Sequence, residues 1–444
     1  MNKKLHIITF GCQMNEADSE LISGSFRERG FEVTADLKDA DAVVVNTCTV
    51  RQRAEDKAIS QIGRLRKWKL ERPERRVFIV GCAAEKLGSK KIKGQFPFVD
   101  EVVGAKSIDS VDAAVERKYP VSGNRYPVTT NSLPDTGYRS PVTAFVTAMR
   151  GCSLKCSYCV VPSVRGPAVC LPPEEILAEA GARAAAGARE IILLGQTVNA
   201  YAYAAPEGRV SFADLLERTA AVPGVRRVRF MSPHPLYFDD AFFRVFRGNP
   251  KIARYIHLPA QSGSDRILKA MRRGYTRAQY LDIIRKIRAA APDAAVSTDF
   301  IVGYPGETEA DFKESLSLVG ESGVSFAYCF KYSPRNVGEG SVGEGSDPGG
   351  LTPTPPTPPA PLPPPEMEER LERLLAEVKK NSSDILNKRI GRIEEVLLET
   401  GEHGRTSANF VVRLEHNTGL APGSLVRTEI TGTRKNTLRG KLIP

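Results

Sequence analysis

Short apolar strands alternate with amphipathic helices along two stretches of this 444-residue chain, and that alternation limits its fold more than any other feature. Strands that are separated by helices pair in parallel, and the helices cover both faces of the resulting sheet. In the first hundred residues the pattern predicts three strands and two helices, at 5–10, 16–30, 41–47, 51–68 and 76–81. We therefore expect an N-terminal parallel-sheet α/β domain, to which we assign residues 1–118.

A second alternating series occupies residues 138–337, which we assign to a central domain. Its strands are predicted at 143–149, 190–195, 225–230, 254–258, 296–303 and 325–332. Helical segments lie between them, for example at 174–186, 276–290 and 308–321. Six β/α units in succession predict a barrel that is two units short of the usual eight. Such a partial (β/α)6 barrel is open on one side, which suits a large substrate.

Two stretches rich in Pro, Gly, Ser and Thr follow these series, and we interpret the first as a linker and the second as a linker or insert. The first runs from about 105 to 140, and the second, "GEGSVGEGSDPGGLTPTPPTPPAPLPPP", covers residues 338–365. A charged helix is predicted at 366–386. In residues 380–444 short β-rich segments alternate with turn residues, which predicts a small C-terminal β-barrel.

The chain is basic, with a formal net charge of +11. Residues 380–444 hold eleven Lys and Arg against seven Asp and Glu, so the terminal module is itself basic. A basic surface gains affinity for polyanions because binding releases the counterions condensed on phosphates. Charge alone leaves a merely solvated basic surface equally open.

The location of the chain is expected to be cytoplasmic. No stretch approaches the roughly 18 consecutive apolar residues of a membrane span, so we expect no membrane association. The start "MNKKLHIITFGC" is typical of a strand rather than of a signal peptide. In a reducing compartment the eight cysteines are better candidates for metal or cofactor ligands than for disulfides.

Three cysteines, which we call the loop trio, lie within eight residues directly after the first predicted barrel strand: Cys152, Cys156 and Cys159. Catalytic groups of β/α barrels lie at the carboxyl ends of strands, so this position is a functional one. Three thiolates can each hold one iron of a 4Fe-4S cluster and leave the fourth iron open, as catalytic zinc sites keep an open position. A zinc site completed by Cys170 and a chance grouping of cysteines are the alternatives.

Three more cysteines, which we call the edge trio, each follow a predicted strand of the N-terminal sheet: Cys12, Cys48 and Cys82. Ligands collect at the carboxyl edge of a parallel sheet, and strands that are consecutive in sequence usually lie side by side. The three thiols are therefore expected to converge on one site, and the hypothesis is a second 4Fe-4S cluster with an open iron. Free cysteines packed as small hydrophobic side chains are the alternative.

The spacing of the loop trio, with Tyr158 before its last cysteine, resembles that of the radical S-adenosylmethionine (SAM) enzymes. Over nearly the whole chain the sequence resembles one family of them, the methylthiotransferases. The N-terminal motifs are "TFGCQMNEADSE", "NTCTVRQRAEDKA" and "VGCAAEKLG". The core motifs are "GCSLKCSYCVVPSVRG", "ILLGQTVNAY", "HLPAQSGSDRILKAMRRGYT" and "STDFIVGYPGETEADF". The end, "TRKNTLRGKLIP", resembles the TRAM domain, a small RNA-binding β-barrel.

This resemblance implies a role for each trio. The loop trio would hold the cluster that cleaves SAM to a 5′-deoxyadenosyl radical, while the protein positions the radical and excludes water. The edge trio would hold an auxiliary 4Fe-4S cluster that supplies the inserted sulfur. Gly195 and Gln196, after the second barrel strand, are expected to contact SAM, and Gln261 is a similar candidate. No catalytic residue is assigned beyond the cluster ligands.

Within the family, "GCQMN", "CVVPSVRG" and "LLGQTVNAY" most resemble the MiaB-type branch. That branch converts N6-isopentenyladenosine, next to the tRNA anticodon, into its 2-methylthio derivative. The resemblance implies three partners: tRNA, an electron-donor protein such as a flavodoxin or ferredoxin, and a sulfur source. Sibling enzymes that act on a ribosomal-protein aspartate or on threonylcarbamoyl-adenosine in tRNA stay open, as does a non-enzymatic iron–sulfur RNA-binding protein.

The sequence departs from the family directly after "VPSVRG", where members usually carry an acidic residue and then a Ser-Arg pair. The positions here hold Ala168, Cys170 and Leu171. Contacts to SAM or substrate that the missing Glu and Arg would make are not carried over to this chain.

Overall fold

The computed structural model describes residues 3–120, 142–335, 360 and 362–443. The chain divides into two compact units. The first unit consists of Met1–Arg139, Phe145–Leu154 and Cys159–Val169. The second unit consists of Ser140–Ala144, Lys155–Tyr158 and Cys170–Pro444. Among the described residues, no helix is both long and apolar enough to span a membrane.

A five-stranded parallel sheet forms the centre of the first unit. Its strands are β1 Lys3–Thr9, β2 Phe31–Val33, β3 Ala42–Thr47, β4 Arg76–Gly81 and β5 Glu101–Gly104. They lie in the order β2-β1-β3-β4-β5, and every neighbouring pair is parallel. The three strands predicted from the sequence are therefore the three central ones, and the N-terminal parallel-sheet α/β domain is confirmed.

Helices cover both faces of this sheet. They are α1 Gln13–Arg27, α2 Gln52–Glu71, α3 Cys82–Leu87, α4 Ser89–Gln95 and α5 Val111–Lys118. Phe26 of α1 packs with Phe78 of β4 on one face, and Leu65 of α2 packs with Ile79 of β4 on the other. Each face is therefore a dry core, and truncating a buried aromatic such as Phe26 to alanine costs about 3–5 kcal/mol.

The linker predicted from about 105 to 140 is wrong in its first part. Residues 105–118 form a 3-10 turn followed by α5. Val111 and Val115 of α5 are buried against the sheet at a helical spacing. The small polar residues around them obscure this short periodicity in the sequence. Residues 121–141 lie outside the described part of the chain.

Two three-stranded sheets make up the partial barrel. The strands of this region are β6 Thr143–Thr147, β7 Met149–Arg150, β8 Val169–Cys170, β9 Glu190–Leu194, β10 Ala202–Ala205, β11 Gly208–Ser211, β12 Arg227–Phe230, β13 Tyr255–His257, β14 Ala295–Val302 and β15 Phe326–Lys331. The sheet orders are β12-β9-β6 and β13-β14-β15. A parallel bridge from Val228 to Ile252 joins the first sheet to the segment before β13. The six predicted strands all form, and the partial (β/α)6 barrel is confirmed.

The helices of this region are α6 Val161–Arg165, α7 Pro173–Ala185, α8 Phe212–Ala221, α9 Asp240–Gly248, α10 Asp265–Ala270, α11 Arg277–Ala290 and α12 Glu309–Ser322. Three of them begin at capping boxes, in which the N-cap and third helical residues bond each other's backbone, at Ser211, Thr276 and Thr308. These caps fix where α8, α11 and α12 start, so the segment before each of these helices ends at a defined point.

A closed five-stranded barrel ends the chain. Helix α13 Pro364–Asn387 leads into β16 Ile393–Leu398, β17 His403–Thr406, β18 Val411–Leu414, β19 Leu425–Arg434 and β20 Thr437–Leu442. The strands close in the order β16-β17-β18-β20-β19, around a core that includes Val412 and Leu438. The predicted C-terminal β-barrel is confirmed.

The end of β17 lies against the amino ends of the parallel strands. Arg227 of β12 donates to the carbonyl oxygens of Arg405 and Thr406, both at 3.1 Å. Arg229 pairs with the buried Glu190 carboxylate at 2.6 Å. Burial alone would raise the pKa of Glu190, but the charges of Arg229 and Arg227 bring it below its usual value. The amino ends of these strands are therefore held by buried charge and face the terminal barrel.

Helix α13 is attached to the loop that follows β14. The Arg370 guanidinium is buried and donates to the Glu307 Oε2 atom at 2.8 Å. Lys331, at the end of β15, forms an ion pair with Glu368 of α13. Of the predicted linker 338–365, the last two residues belong to α13, and residues 338–359 lie outside the described part of the chain.

Candidate metal and cofactor site

The edge trio lies at the carboxyl edge of the sheet in the first unit. Cys48 follows β3 directly, Cys82 follows β4 as the first residue of α3, and Cys12 lies between β1 and α1. Because β1, β3 and β4 are neighbours in the sheet, the three cysteines lie on adjacent loops. The structure thus brings these three predicted ligands together, whereas their role as ligands stays a prediction.

Two glycines allow the loops of the edge trio to approach each other. Gly11 has a φ of +127°, and a Cβ atom there would lie 2.7 Å from the Cys48 Cβ. Gly81 has a φ of +96°, and a Cβ atom there would lie 2.5 Å from the Thr47 carbonyl oxygen. Any side chain at either position would push the loops apart, and a positive φ disfavours one in any case.

Buried amides connect the same loops. Asn15 Nδ2 donates to the Asn46 Oδ1 and Thr47 carbonyl oxygens, both at 3.0 Å. Asn46 Nδ2 in turn donates to the Asn15 carbonyl oxygen at 2.7 Å and to Ser19 Oγ at 2.9 Å. This reciprocal network joins α1 to the end of β3, so the backbone that carries the first two cysteines is held rigidly.

The thiols of the edge trio are electrostatically coupled. Burial raises the pKa of Cys48, and the neighbouring Cys12 thiolate raises it further. Burial raises the pKa of Cys82 to about 12, against the lowering effect of Arg165. Close thiols of this kind, whose thiolate forms would repel each other, lose their protons when a cation binds them, because a coordinating thiol is deprotonated. A set of three soft sulfur donors therefore fits an iron–sulfur cluster.

An ionic network supports the edge trio from the side of α6. The Asp18 carboxylate is fully buried and accepts hydrogen bonds from Arg150 at 2.6 Å and from Arg165 at 2.8 Å. Burial alone would lower the pKa of Arg165, but Asp18 and the thiolates of Cys82 and Cys12 raise it. The Arg165 charge therefore lies where it can offset negative sulfur. Sequence reasoning missed this pair because its members are 147 residues apart.

The loop trio is divided between the two units, with Cys152 and Cys159 in the first and Cys156 in the second. In the first unit the Cys152 N–H donates to the Gly166 carbonyl oxygen at 3.0 Å. Gly151 has a φ of +72°, and a Cβ atom there would lie 2.0 Å from the Pro167 carbonyl oxygen. The start of the cysteine loop is thus pinned to the segment after α6.

In the second unit Cys156 has a cationic neighbour. Arg273 is buried, and its Nη1 atom lies 3.3 Å from the Cys156 sulfur. Burial alone would lower the pKa of Arg273, but Tyr275, Tyr158 and Cys156 raise it. Ser157, the residue after Cys156, donates its N–H to the Met271 carbonyl oxygen at 3.2 Å. The middle of the cysteine loop is thereby anchored beside a fixed positive charge that suits a thiolate.

The predicted SAM contacts lie at the carboxyl ends of barrel strands. Gly195 and Gln196 follow β9 directly, and the Gln196 Oε1 atom is buried with no hydrogen-bond partner among the described residues. Gln261 is a buried residue with a φ of +73°, which is unusual for a residue other than glycine. Its N–H donates to the Asp299 carbonyl oxygen at 2.7 Å. Backbone strain and an unpaired buried acceptor are typical of ligand sites, so these positions fit a polar cofactor.

His234 is a further polar group near this site that sequence reasoning missed. It follows β12, and its backbone is fixed by Asn199, whose Oδ1 accepts the His234 N–H at 2.8 Å. Burial and the charge of Arg273 lower the pKa of His234 to about 3, so the ring is neutral. Its Nδ1 atom accepts from Leu236, which leaves Nε2 as a buried donor without a described partner. A histidine in "SPHP" carries no spacing motif by which it could have been singled out.

The segment that departs from the family pattern is ordered. The Ala168 N–H donates to Ser153 Oγ at 3.1 Å. The Leu171 carbonyl oxygen accepts from the Tyr201 hydroxyl at 2.8 Å, and Cys170 is a partly exposed free thiol. Backbone groups thus make contacts here, and the substituted side chains of Ala168 and Leu171 do not take part in them.

No three His, Cys, Asp or Glu side chains of the described residues are arranged to hold a single metal ion. A 4Fe-4S cluster does not require such an arrangement, because each of its thiolates binds a different iron.

Comparisons with known families match two parts of the chain. Residues 4–104 match the family described as "Uncharacterized protein family UPF0004". Residues 146–319 match the radical SAM superfamily. The partial barrel with its cysteine loop is therefore that of a radical SAM protein, and a second cysteine-bearing domain precedes it.

Relatives of nearly full length define the family more closely. The "tRNA-2-methylthio-N(6)-dimethylallyladenosine synthase" of Anaeromyxobacter sp. (strain K) is 39% identical to this chain over an alignment of 453 residues, gaps included. The alignment covers 99% of this chain and 94% of that protein. The protein of the same name from Polynucleobacter asymbioticus is 37% identical and covers 99% of both chains. This chain belongs to the family of tRNA-2-methylthio-N(6)-dimethylallyladenosine synthases. It is a radical SAM methylthiotransferase, and its family implies SAM and 4Fe-4S clusters as cofactors.

Solved structures of more distant proteins show the same fold. The radical SAM methyltransferase TsrM from Kitasatospora setae, solved with cobalamin and a [4Fe-4S] cluster, has a TM-score of 0.52 at 15% identity and covers 74% of this chain and 75% of that chain. The cobalamin-dependent enzyme OxsB has a TM-score of 0.51 at 13% identity and covers 85% of this chain and 56% of that chain. At these identities the likeness concerns the fold alone.

Proposed function

We propose that this enzyme methylthiolates C2 of N6-isopentenyladenosine at the position next to the tRNA anticodon. The proposal is carried by one observation: an edge trio and a loop trio of cysteines occur in a chain whose near-full-length relatives bear that activity in their name. C2 of adenine carries a strong, non-acidic C–H bond, so acid–base chemistry cannot replace that hydrogen by sulfur.

The two trios are proposed as the ligands of two clusters. The loop trio of Cys152, Cys156 and Cys159 would hold the cluster that binds SAM, and the edge trio of Cys12, Cys48 and Cys82 would hold the auxiliary cluster. When bound, these groups supply radical cleavage of SAM and the sulfur that is inserted. The protein's own contribution is to place positive charge beside the sulfurs, through Arg165 in the first unit and Arg273 in the second.

SAM is proposed to bind at the carboxyl ends of β9, β12 and β13. The Gln196 Oε1 atom would accept from its amino group, and the His234 Nε2–H group would donate to one of its oxygens. Both atoms are buried and lack a partner among the described residues. Leaving such atoms unsatisfied costs about 1–3 kcal/mol each, so a ligand that pairs with them recovers that free energy.

The RNA is proposed to contact the terminal barrel, residues 380–444, as a TRAM-like domain. Arg427, Arg439 and Lys441 are exposed on neighbouring strands β19 and β20, where they can meet phosphates. The target base must leave the anticodon stack to reach the proposed clusters, and this unstacking costs a few kcal/mol. Residues 1–118 would carry the auxiliary cluster, and residues 138–337 would carry the radical SAM cluster. A cytoplasmic location, an electron donor such as a flavodoxin or ferredoxin, and a separate sulfur source complete the proposal.

Nucleoside analysis of tRNA from a deletion strain tests the substrate. We expect 2-methylthio-N6-isopentenyladenosine to disappear, its unmethylthiolated precursor to accumulate, and a plasmid copy to restore the modification. An unchanged level would overturn the proposal. A specific loss of 2-methylthio-threonylcarbamoyl-adenosine or of ribosomal aspartate modification would assign the chain to a sibling activity instead.

Iron analysis tests the cluster assignment. Reconstituted protein should hold about eight irons per chain, because two cubane clusters contain four each. Replacing the edge trio with alanine should remove about half of the iron and leave reductive SAM cleavage to 5′-deoxyadenosine intact. Full iron content in that variant would refute the edge-trio assignment, and no SAM cleavage by the wild-type protein would favour a non-enzymatic iron–sulfur RNA-binding protein.

A further inference from the structure

Helix α2 carries a row of basic side chains on its outer face. This α2 row consists of four exposed residues, Arg53, Lys57, Arg64 and Lys67. Their spacings of four, seven and three residues place them on one side of the helix. From the first to the last the row is about 20 Å long, at about 1.5 Å per residue. None of the four side chains makes an ion pair or hydrogen bond with a described residue.

The acidic residues of α2 do not neutralise the row. Glu55 is buried and its carboxylate is bonded to Thr49 and to Lys86, the latter at 3.0 Å. The other two acidic residues lie at the ends of the helix: Asp56, in the first turn, accepts from Gln52 at 2.8 Å, and Glu71, the last residue, pairs with Arg75 at 3.7 Å. The opposite face of α2 is buried in the core of the unit. Residues 57–70 contain no acidic residue, so the part of the row from Lys57 to Lys67 is a face of positive charge without an ion-pair partner among the described residues.

The α2 row begins beside the edge trio. Helix α2 starts four residues after Cys48, and the backbone N–H groups of Val50 and Arg51 lie against the Cys48 thiol. The Arg51 guanidinium donates to the Gly11 carbonyl oxygen at 3.3 Å. A chain of negative charge laid along the row would thus end at the loops of the proposed auxiliary cluster.

We propose that the α2 row binds the phosphate backbone of the anticodon stem–loop and so makes the N-terminal domain a second RNA-binding surface. This inference rests on the proposed function. Unpaired Lys and Arg in a line suit a linear polyanion, since each phosphate contact releases condensed counterions. An acidic protein such as an electron donor fits less well, because Lys is depleted at protein interfaces, where buried aromatic or apolar anchors are favoured. The row contains none, and the exposed Leu70 lies on a different side of the helix.

The salt dependence of RNA binding tests the proposal. The variant R53Q/K57Q/R64Q/K67Q removes four charges and keeps helix propensity, because glutamine resembles lysine and arginine in that respect. The matched control, R244Q/R247Q/R285Q/K286Q, removes the same charge from exposed positions of α9 and α11. Fluorescence anisotropy with a synthetic anticodon stem–loop RNA is measured between about 50 and 200 mM salt.

In this assay the slope of log affinity against log salt is expected to become shallower by about 3–4 in the α2 variant, at 0.7–0.9 per phosphate contact. In the control variant the slope should change by less than about 0.9, which is the contribution of one phosphate contact. An unchanged slope in the α2 variant would overturn the inference. If the fourfold variant loses iron, the four single glutamine variants replace it, each with an expected change of about 0.7–0.9.

Two further measurements distinguish RNA binding by the α2 row from docking of an electron donor and from failure of the proposed function. SAM cleavage with dithionite and no RNA should be equal in the α2 variant, the control and the wild-type protein. A variant that keeps the RNA slope but loses turnover only with a flavodoxin as donor would mean that an acidic protein docks on the row, which overturns the inference. A wild-type protein that binds no RNA and methylthiolates none would overturn the proposed function itself.

Discussion

Replacing Asp18 with asparagine tests the ionic network beside the edge trio. Asp18 is fully buried between Arg150 and Arg165, at 2.6 and 2.8 Å. Asparagine keeps the shape of the side chain, removes its charge and turns an N–H donor towards a guanidinium. The Arg165 side chain, only 4% exposed, then keeps a positive charge without its carboxylate.

The magnitude follows from burial. Removing one partner of a buried ion pair costs about 3–5 kcal/mol, because the other charge stays buried and unpaired. A domain of this size loses about 2–4 °C of its thermal midpoint per kcal/mol. We therefore expect D18N to lower the midpoint of the first unit by roughly 6–20 °C.

The assay is thermal unfolding of the cluster-containing protein, followed by circular dichroism and by iron–sulfur absorbance at one scan rate. The control is D39N, which breaks the exposed Lys4–Asp39 pair, whose side chains are 41% and 55% exposed. Pairs of that kind contribute about 0–1 kcal/mol, so the control should shift the midpoint by less than about 4 °C. Equal shifts in the two variants would refute the reasoning that the buried network stabilises the cysteine edge.

Three further changes have defined outcomes. Gly11→Ala should lose about half of the iron, because its Cβ would lie 2.7 Å from the Cys48 Cβ. The control Gly88→Ala, at a φ of +77° but with open space around it, should keep all of its iron. Equal iron content in the two variants would contradict the steric argument at Gly11. Gln196→Ala should weaken SAM binding about tenfold, the worth of one hydrogen bond, with iron content unchanged, as measured by equilibrium dialysis. His234 has a pKa of about 3 when folded and about 6.5 when unfolded, so the unfolded state binds more protons and stability falls as pH drops below about 6.5. The loss at pH 5 is about 2 kcal/mol, and His234→Gln, which cannot titrate, should show a thermal midpoint less sensitive to pH between 7 and 5; parallel profiles would exclude this contribution.

The strand-and-helix pattern of the sequence predicted most of the fold. Strands such as β3 and β4 are continuous apolar runs that are buried on both faces, so local composition alone predicts where they lie in the sequence. The placement of Cys12, Cys48 and Cys82 followed from a general rule about parallel sheets, and the strand order bears out that placement. Their ligand role was inferred from family resemblance and awaits the iron analysis.

The parts that could not be predicted depend on contacts between distant residues. Arg273 reaches the Cys156 sulfur across 117 positions of sequence, and no local spacing marks it among the other arginines of "KAMRRGYT". The His234 Nε2 atom is buried and has no partner within the described part of the chain, and a single residue letter does not reveal such burial. Helix α5 was missed because only three of its residues, Val111, Ala114 and Val115, are buried, which is too short a periodicity to recognise.

The attachment of α13 to the end of β15 has a practical consequence for protein engineering. Lys331 pairs with Glu368, and Arg370 pairs with the loop after β14, so the chain leaves and re-enters the same body on both sides of the insert 338–359. In the loop-closure relation, doubling the number of residues that join two such fixed points costs only about 0.6 kcal/mol. A fluorescent reporter or an affinity handle can therefore be spliced between Arg335 and Leu362, where it leaves both chain termini and both barrels as they are.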